Sequence, residues 1–117
     1  MNRYELKALR NLFHLSVKEA AEHVGHVSAR TWNYWENGTY NIPGDVVEGM
    51  NQIKLDRLAR ITAVEDESRE QDLDVIISWY DTYKAYQSAH EDATYVQWRL
   101  SQSVGAYFLG EDFCSLV

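Results

Sequence analysis

The sequence has few residues that crosslink or sharply bend a chain: one cysteine, one proline and six glycines among 117 residues. The single cysteine, Cys114, excludes internal disulfides and favours a reducing compartment. No run approaches the roughly 20 apolar residues of a membrane-spanning helix, and the first residues lack the basic-then-apolar pattern of a secretory signal. We therefore expect a mostly helical cytoplasmic protein without a membrane partner.

Patterns typical of metal sites and catalysis are also missing. The histidines at positions 14, 23, 26 and 90 form no ligand array, and no cysteine or carboxylate accompanies His23 and His26 to complete a tetrahedral site. The acidic stretch at 65–74 lacks the glycine and the ordered spacing of a calcium loop. No phosphate-binding loop, dinucleotide fingerprint or nucleophile–base pair occurs. The sequence predicts no enzyme, no metal and no cofactor.

The acidity of the chain lies in its C-terminal part. The formal net charge is −7, but residues 1–43 contain five basic and four acidic residues, a net charge of +1. Residues 44–117 contain six basic and fourteen acidic residues, a net charge of −8. The N-terminal part can therefore approach a phosphate backbone, and its weak charge favours specificity from base contacts over strong non-specific binding.

The N-terminal part begins with two predicted helices. The first runs from about Arg3 to Phe13, where leucines recur at helical spacing. The second begins after Ser16, because Ser16-Val17-Lys18-Glu19 has the form of a capping box. Gly25 follows at the position where a left-handed residue would end this helix.

A third helix is predicted to begin at Ser28, a natural N-cap, and to end at Asn37. Trp32 and Trp35 are three residues apart and share a face, which we assign to the core in preference to stacking on single-stranded nucleic acid. The opposite face carries the polar side chains Arg30, Asn33 and Tyr34. Three short helices with a glycine at the turn and a polar face on the third are typical of a helix-turn-helix.

The rest of the chain predicts a longer helix, one strand and two further helices. The long helix follows Pro43, and its apolar stripe consists of Val46, Val47, Met50, Ile53, Leu55, Leu58, Ile61 and Val64. An alternating pattern at 73–79 predicts the strand, residues 81–89 a short helix, and Thr94-Tyr95-Val96-Gln97 a capping box that opens the last helix. We place a helix-turn-helix DNA-binding domain at 1–64 and a small α+β dimerisation domain at 65–117.

The predicted strand at 73–79 has no evident partner within its own sequence. An unpaired apolar strand edge is a liability that a second copy of the chain would remove. The aromatic residues between Trp79 and Phe108 would supply buried surface for such an interface. We therefore predict a homodimer formed through the C-terminal part.

Several fragments of the first part together resemble the N-terminal domain of the Xre/Cro-like helix-turn-helix family. They are Leu9-Arg10, Leu15-Ser16-x-x-Glu19-x-Ala21-x-x-Val24-Gly25 and the run from Ser28 to Gly38. The resemblance implies a mostly helical, lambda-repressor-like domain of four to five helices. One departure is an additional residue between Gly25 and Trp35, which we place in the turn at His26-Val27.

Other segments narrow the resemblance. Val17-Lys18-Glu19-Ala20-Ala21-Glu22-His23-Val24-Gly25, Val27-Ser28-Ala29-Arg30 and Trp98-Arg99-Leu100-Ser101-Gln102-Ser103-Val104 are similar to anti-CRISPR-associated repressors of phages and mobile elements. They are also similar to a related group of bacterial proteins with the same layout. The resemblance implies a dimer that binds an inverted repeat in double-stranded DNA and represses its own operon.

The family pattern also implies roles for individual residues. The positions that would contact bases are Ala29, Arg30, Asn33 and Tyr34, where arginine pairs with guanine, asparagine with adenine, and the Ala29 methyl group with a thymine methyl. Tyr34 would contact a thymine methyl with its ring or a phosphate with its hydroxyl. The positions suited to phosphates are Lys18, Ser28, Asn37 and Thr39, at helix N-termini and loop ends. Arg10 and Glu36 would form a partly buried structural ion pair.

Two other functions remain open on the sequence alone. One is a protein–protein interaction module, such as an antitoxin-like subunit, in which the helix-turn-helix is only a scaffold. The charge of −8 in residues 44–117 favours this alternative, because an acidic surface can recruit a basic partner. The other is RNA binding by the same face.

Overall fold

The computed structural model describes residues 1–71 and 75–117, and within these ranges the chain is mostly helical. The elements in chain order are α1 (Arg3–Leu12), α2 (Val17–Ala20), α3 (Ala29–Glu36), α4 (Gly44–Gln71), β1 (Val75–Ile77), α5 (Tyr83–Ala89), α6 (Tyr95–Gly110) and β2 (Cys114–Leu116). This confirms the predicted fold class of a helical protein with a small C-terminal α+β part. None of the helices in the described ranges is long and apolar enough to cross a membrane.

The chain divides into two compact units, Met1–Leu55 and Asp56–Val117. The boundary between the units lies within α4. The domain boundary that the sequence places after residue 64 stays a prediction.

Local side-chain caps set the beginnings of several helices. Ser16 begins α2 and Thr94 begins α6, each through the predicted capping box. In each box the N-cap side chain accepts a hydrogen bond from the backbone N–H three residues later, and the side chain of that later residue accepts one from the N-cap backbone N–H. Asn2 and Glu5 form a third capping box, at the start of α1. The Ser28 side chain accepts a hydrogen bond from the Thr31 backbone N–H and so begins α3. These caps confirm the predicted starts of three helices.

The core of the first unit is built around the two tryptophans of α3. Trp32 is fully buried, Trp35 is 6% exposed, and their rings meet edge to face with centroids 5.5 Å apart. Other fully or almost fully buried side chains of this unit are Leu6, Phe13, Leu15, Ala20, Ala21, Val46 and Met50. The prediction that both tryptophans face the core is therefore confirmed.

The end of the second helix differs from the prediction. The helix continues past α2 as a π-helical turn over Ala21–Gly25, and the left-handed residue is His26, with φ 54°, instead of Gly25. The backbone N–H groups of His26 and Val27 both donate to the Ala21 carbonyl, which closes the widened turn. The π-helical turn thus lengthens the helix end and places the left-handed residue one position later than predicted.

Gly25 is required for close packing. A Cβ atom at Gly25 would lie 3.1 Å from Trp32 Cε3, 3.1 Å from Val27 Cγ2 and 3.2 Å from Trp35 Cζ3. Both indole rings therefore pack directly on the backbone of the π-helical turn. This tertiary contact explains a glycine that the sequence pattern attributed to backbone conformation.

The predicted apolar stripe of α4 is wrong at two positions. Leu55 is 57% exposed and Leu58 is 51% exposed. Residues three and four positions apart share one face of a helix, and the inward face here contains Met50, Ile53 and Arg57. Leu55 and Leu58 do not lie on this face. Arg57 is buried instead, and its Nε donates to Ser103 Oγ over 2.8 Å.

The second unit contains two hydrophobic clusters on α6. Ile61, Val104 and Phe108 form one cluster, against which Ile77 and Cys114 pack. Tyr86, Ala93 and Trp98 form the other, beside Tyr80, Tyr83 and Tyr95. The Tyr80 carbonyl accepts hydrogen bonds from Trp98 Nε1 and Gln102 Nε2, which fixes the segment between β1 and α5 to α6.

The prediction of an unpartnered strand is wrong. The strand comprises only Val75–Ile77, residues 73 and 74 of the predicted strand lie outside the described residues, and Ser78 and Trp79 are not in a strand. Residues 75, 76 and 77 pair in parallel with residues 114, 115 and 116 of β2 in the same chain. Because β2 has only three residues, no alternating pattern marks it in the sequence. Since β1 is paired within its own chain, it leaves no unpaired strand of the kind from which a dimer was expected.

The glycines of the first unit yield a paired stability test. Gly25→Ala should destabilise the protein by about 1–3 kcal/mol, because two rigid indole rings must move to admit the methyl group. Gly49→Ala, within α4, should instead stabilise it by about 0.5–1 kcal/mol. A Cβ at Gly49 would meet only Val24 Cγ1, at an ordinary 3.6 Å. Chemical denaturation measures both changes, and equal stabilities of the two variants would contradict the packing described for Gly25.

Candidate nucleic-acid interface

The outer face of α3 presents a short row of polar and small side chains. Positions 29, 30, 33 and 34 lie three and four residues apart and so share one side of the helix. Arg30 and Asn33 are exposed, whereas Ala29 and Tyr34 are half-buried. The two tryptophans occupy the opposite side, so α3 is divided into a core face and an outer face.

Arg30 is held by the next residue on its own face. Its Nε donates a hydrogen bond to Tyr34 Oη over 2.6 Å, and the guanidinium carbon lies 5.6 Å from the centre of the Tyr34 ring. The Tyr34 ring meets the edge of Tyr40 at 5.3 Å, with the ring planes 87° apart. The two terminal nitrogens of Arg30 can therefore donate to an acceptor outside the protein.

Asn33 lies beside this pair. Among the described residues, none forms a hydrogen bond with its side-chain amide, which is exposed. An amide has one acceptor oxygen and a donor nitrogen, which is the pattern that matches the major-groove edge of adenine.

The residues predicted to contact phosphates lie at the ends of α2 and α3. Lys18 is exposed in the first turn of α2, and within the described ranges no carboxylate pairs with its ammonium group. Ser28 is exposed, but its Oγ already caps α3 and donates to Thr31 Oγ1 over 3.1 Å. Asn37 Oδ1 accepts hydrogen bonds from the backbone N–H and the hydroxyl of Thr39, so these two side chains form a local turn.

Arg3 is a cation at this end of α3 that the sequence analysis does not assign to the site. Its Nη1 donates to the Asn37 carbonyl over 2.8 Å, and its Nη2 donates to Tyr4 Oη over 2.7 Å. The Arg3 side chain also lies against Gly38, where the backbone has φ +82° and an added Cβ would come within 3.1 Å of Arg3 Cδ. Only the packing of α1 on α3 places Arg3 here, and the sequence around position 3 carries no signal for it.

A buried ion pair joins α1 to the end of α3. Arg10 Nε and Nη2 donate to the two carboxylate oxygens of Glu36 at 2.7 and 3.0 Å, and both side chains are at most 10% exposed. Arg10 Nη1 donates to the Leu15 carbonyl over 3.0 Å, and Trp32 Nε1 donates to Glu36. Every charged group of the pair is thus hydrogen-bonded, as burial requires.

The ionised form of Glu36 is favoured in this setting. Burial alone would raise the pKa of this carboxyl group. The hydrogen bonds from Arg10 and Trp32, together with the charges of Arg10 and Lys7, outweigh burial and lower the pKa below its ordinary value of 4.5. The carboxylate is therefore the form that the folded protein stabilises.

The described residues contain no group of three or more His, Cys, Asp or Glu side chains that could hold a metal ion. The Nε2 atom of His23 lies 3.9 Å from a Glu22 carboxylate oxygen. Cys114 is half-buried beside the Gly105 carbonyl, and burial raises the pKa of its thiol, which favours the unreactive protonated form.

The first unit has the architecture of a helix-turn-helix domain. It combines α2, a tight turn and a third helix whose core face is aromatic and whose outer face is polar. The model of the Aca2/YdiL-like family matches residues 1–117, and the chain belongs to that family.

Two relatives extend over nearly the full length of the chain. The Aca2 repressor of Pectobacterium phage ZF40 is 36% identical over 117 residues, which is 100% of both chains. Uncharacterized protein YdiL of Escherichia coli (strain K12) is 28% identical over 113 residues, which is 96% of both chains. The predicted resemblance to anti-CRISPR-associated helix-turn-helix repressors is thereby confirmed.

The ion pair gives stability a specific dependence on pH. Because the folded state lowers the pKa of Glu36, its carboxylate stabilises the fold fully above about pH 4.5, and this contribution is lost as the pH falls through the lower folded value. Glu36→Gln should cost about 3 kcal/mol at neutral pH, because the Arg10 charge stays buried without a counter-charge. Thermal unfolding of both proteins between neutral and acid pH tests this. A difference in stability that stays constant below pH 4.5 would contradict the assignment.

Proposed function

We propose that the protein is a transcriptional repressor that binds double-stranded DNA sequence-specifically, as a homodimer on an inverted repeat, and represses its own operon. The observation that carries this proposal is the division of α3, with both tryptophans buried and Arg30 and Asn33 exposed. The full-length similarity to a phage protein named as a repressor supports it.

In this proposal α3 enters the major groove. The terminal nitrogens of Arg30 pair with guanine O6 and N7, and the Asn33 amide pairs with adenine N6 and N7. Each such pair discriminates against a wrong base by roughly 1–3 kcal/mol. Ala29 lies on the same side, where its methyl group can contact a thymine methyl.

Phosphate contacts would flank α3 on both sides. Lys18 would hold one backbone, since its exposed ammonium group attracts phosphate. At the C-terminal end of α3, the Asn37 side-chain NH2 group can donate to a phosphate oxygen. The hydroxyls of Ser28 and Thr39 would do so by exchanging their bonds to Thr31 and Asn37 for bonds to DNA. Arg3 extends this set, because its exposed guanidinium is fixed beside the Asn37 carbonyl.

Exposed apolar side chains in the second unit support the proposed homodimer. Residues 56–117 expose several large apolar side chains: Leu58 at 51%, Ile76 at 67%, Leu109 at 51% and Val117 at 71%. A second copy that covers such residues would remove apolar surface from water. The charge of −8 on residues 44–117 disfavours DNA contact there and suits a part that joins two DNA-binding heads.

Substitutions that separate base contacts from phosphate contacts test the mechanism. Arg30→Ala should weaken binding to the cognate inverted repeat by roughly 1–3 kcal/mol and affect random DNA much less. Lys18→Ala should weaken both DNAs alike and lower the slope of log affinity against log salt by about one unit. Mobility-shift titrations at several salt concentrations measure both effects. If Arg30→Ala costs as much on random DNA, Arg30 contacts the backbone and the discriminating role passes to Asn33.

A direct test of DNA binding separates the proposal from its alternatives. Binding to the DNA upstream of the protein's own gene, at two salt concentrations and against an RNA competitor of equal length, should favour that DNA. Sedimentation equilibrium at micromolar concentration should give a dimer, and the half-site centres should lie roughly 34 Å or a multiple of it apart. Absence of binding to this DNA would favour the protein–protein interaction module. A preference for the RNA competitor would favour RNA binding by the same face of α3.

A further inference from the structure

We propose that Tyr34 acts through Arg30: it holds the guanidinium in place, so that the two residues together recognise one guanine in the operator. Tyr34 is then a positioning residue and makes no base contact of its own. This inference rests on the proposed function, since it concerns how the same face of α3 selects its DNA sequence.

The hydrogen bond between the two residues determines which atoms of Arg30 remain for DNA. Arg30 Nε donates to Tyr34 Oη, which leaves the two terminal nitrogens of the guanidinium. Within the described ranges no other residue accepts a hydrogen bond from Arg30, and no carboxylate pairs with it. The O6 and N7 atoms of guanine are two neighbouring acceptors that match these two terminal donors, whereas the adenine edge has one acceptor and one donor.

Tyr34 is itself fixed by the segment that follows α3. Its ring is half-buried and meets the edge of Tyr40, and the Tyr40 backbone N–H donates to the Tyr34 carbonyl over 3.2 Å. An exposed arginine has many rotamers, and binding to a base would restrict them at a cost in entropy. A tyrosine packed against Tyr40 restricts these rotamers before DNA arrives.

The position of the Tyr34 ring argues against a base contact of its own. Its oxygen accepts a hydrogen bond from Arg30 Nε over 2.6 Å, the guanidinium carbon lies 5.6 Å from the ring centre, and the ring packs against Tyr40. A ring turned toward a thymine methyl would have to give up both the hydrogen bond and the packing on Tyr40.

The chain provides a matched control in α1. Arg3 and Tyr4 form the same kind of pair, with Nη2 donating to Tyr4 Oη over 2.7 Å and the guanidinium carbon 4.6 Å from the ring centre. Tyr4 is 68% exposed and lies outside α3. Tyr4→Phe therefore removes an equivalent hydrogen bond without touching the proposed base contact.

The first experiment needs no DNA. Nitrogen-15 NMR of the full chain should show an Arg30 Nε–H signal that exchanges slowly with water, and Tyr34→Phe should accelerate this exchange while Tyr4→Phe leaves it unchanged. Circular dichroism and melting temperature should stay the same for both variants, since both keep their rings. Equally fast exchange in the wild type and Tyr34→Phe would overturn the proposal, whatever the protein binds.

The second experiment measures affinity for the operator and for every single base-pair substitution of one half-site. Tyr34→Phe should reduce discrimination roughly two- to tenfold, the range expected for immobilising one long side chain. The loss should occur only at the G·C pair where Arg30→Ala also loses discrimination. In the Arg30→Ala background, Tyr34→Phe should have no further effect, and Tyr4→Phe should leave discrimination unchanged throughout.

Each other outcome is decisive. Additive losses, or a loss at a different base pair, would show that Tyr34 contacts DNA itself and would overturn the proposal. If the NMR result holds but the wild type binds no DNA specifically, the proposed function fails and the role in recognition with it. This failure of the proposed function differs from a failure of the Tyr34 proposal, because the NMR experiment still detects the Arg30–Tyr34 hydrogen bond although no operator is bound.

Discussion

The ion pair between Arg10 and Glu36 is the interaction on which the geometry of the first unit depends. Both oxygens of Glu36 are engaged by Arg10, and Trp32 donates to the same carboxylate from the core face of α3. The position of α1 and the rotation of α3 are therefore fixed by one buried charge. A small rotation of α3 would break hydrogen bonds in a region where an unpaired charge is costly, so its outer face keeps one orientation.

Much of the first unit could be predicted because its signals are local. The caps at Ser16 and Ser28 act over three residues, and the three-residue spacing of Trp32 and Trp35 alone places both on one face. Arg30, Asn33 and Tyr34 match the groove-facing positions of the family pattern. The hydrogen bond from Arg30 to its neighbour on the next turn follows the same local geometry, although the pattern alone does not reveal it.

The features that the sequence did not disclose depend on residues far apart in the chain. Gly25 is required because two indole rings pack on its backbone. Arg3 lies at the interface because it donates a hydrogen bond to the Asn37 carbonyl, 34 residues later in the chain. Leu55 and Leu58 are apolar and yet exposed, because burial on a helix follows the spacing of residues and not their hydrophobicity alone. The strand β2 is too short to carry a pattern and is recognisable only beside β1.

The parallel pairing of β1 with β2 also bears on the order in which the second unit folds. Parallel strands cannot be joined by a tight turn, and here α5 and α6 lie between them in the chain. Closing so long a loop is entropically costly until the intervening helices have packed. The capped helices can begin to form from contacts a few residues apart, whereas the sheet must wait for them. We therefore expect backbone hydrogen bonds of the sheet to be among the last to form and to report completion of the unit.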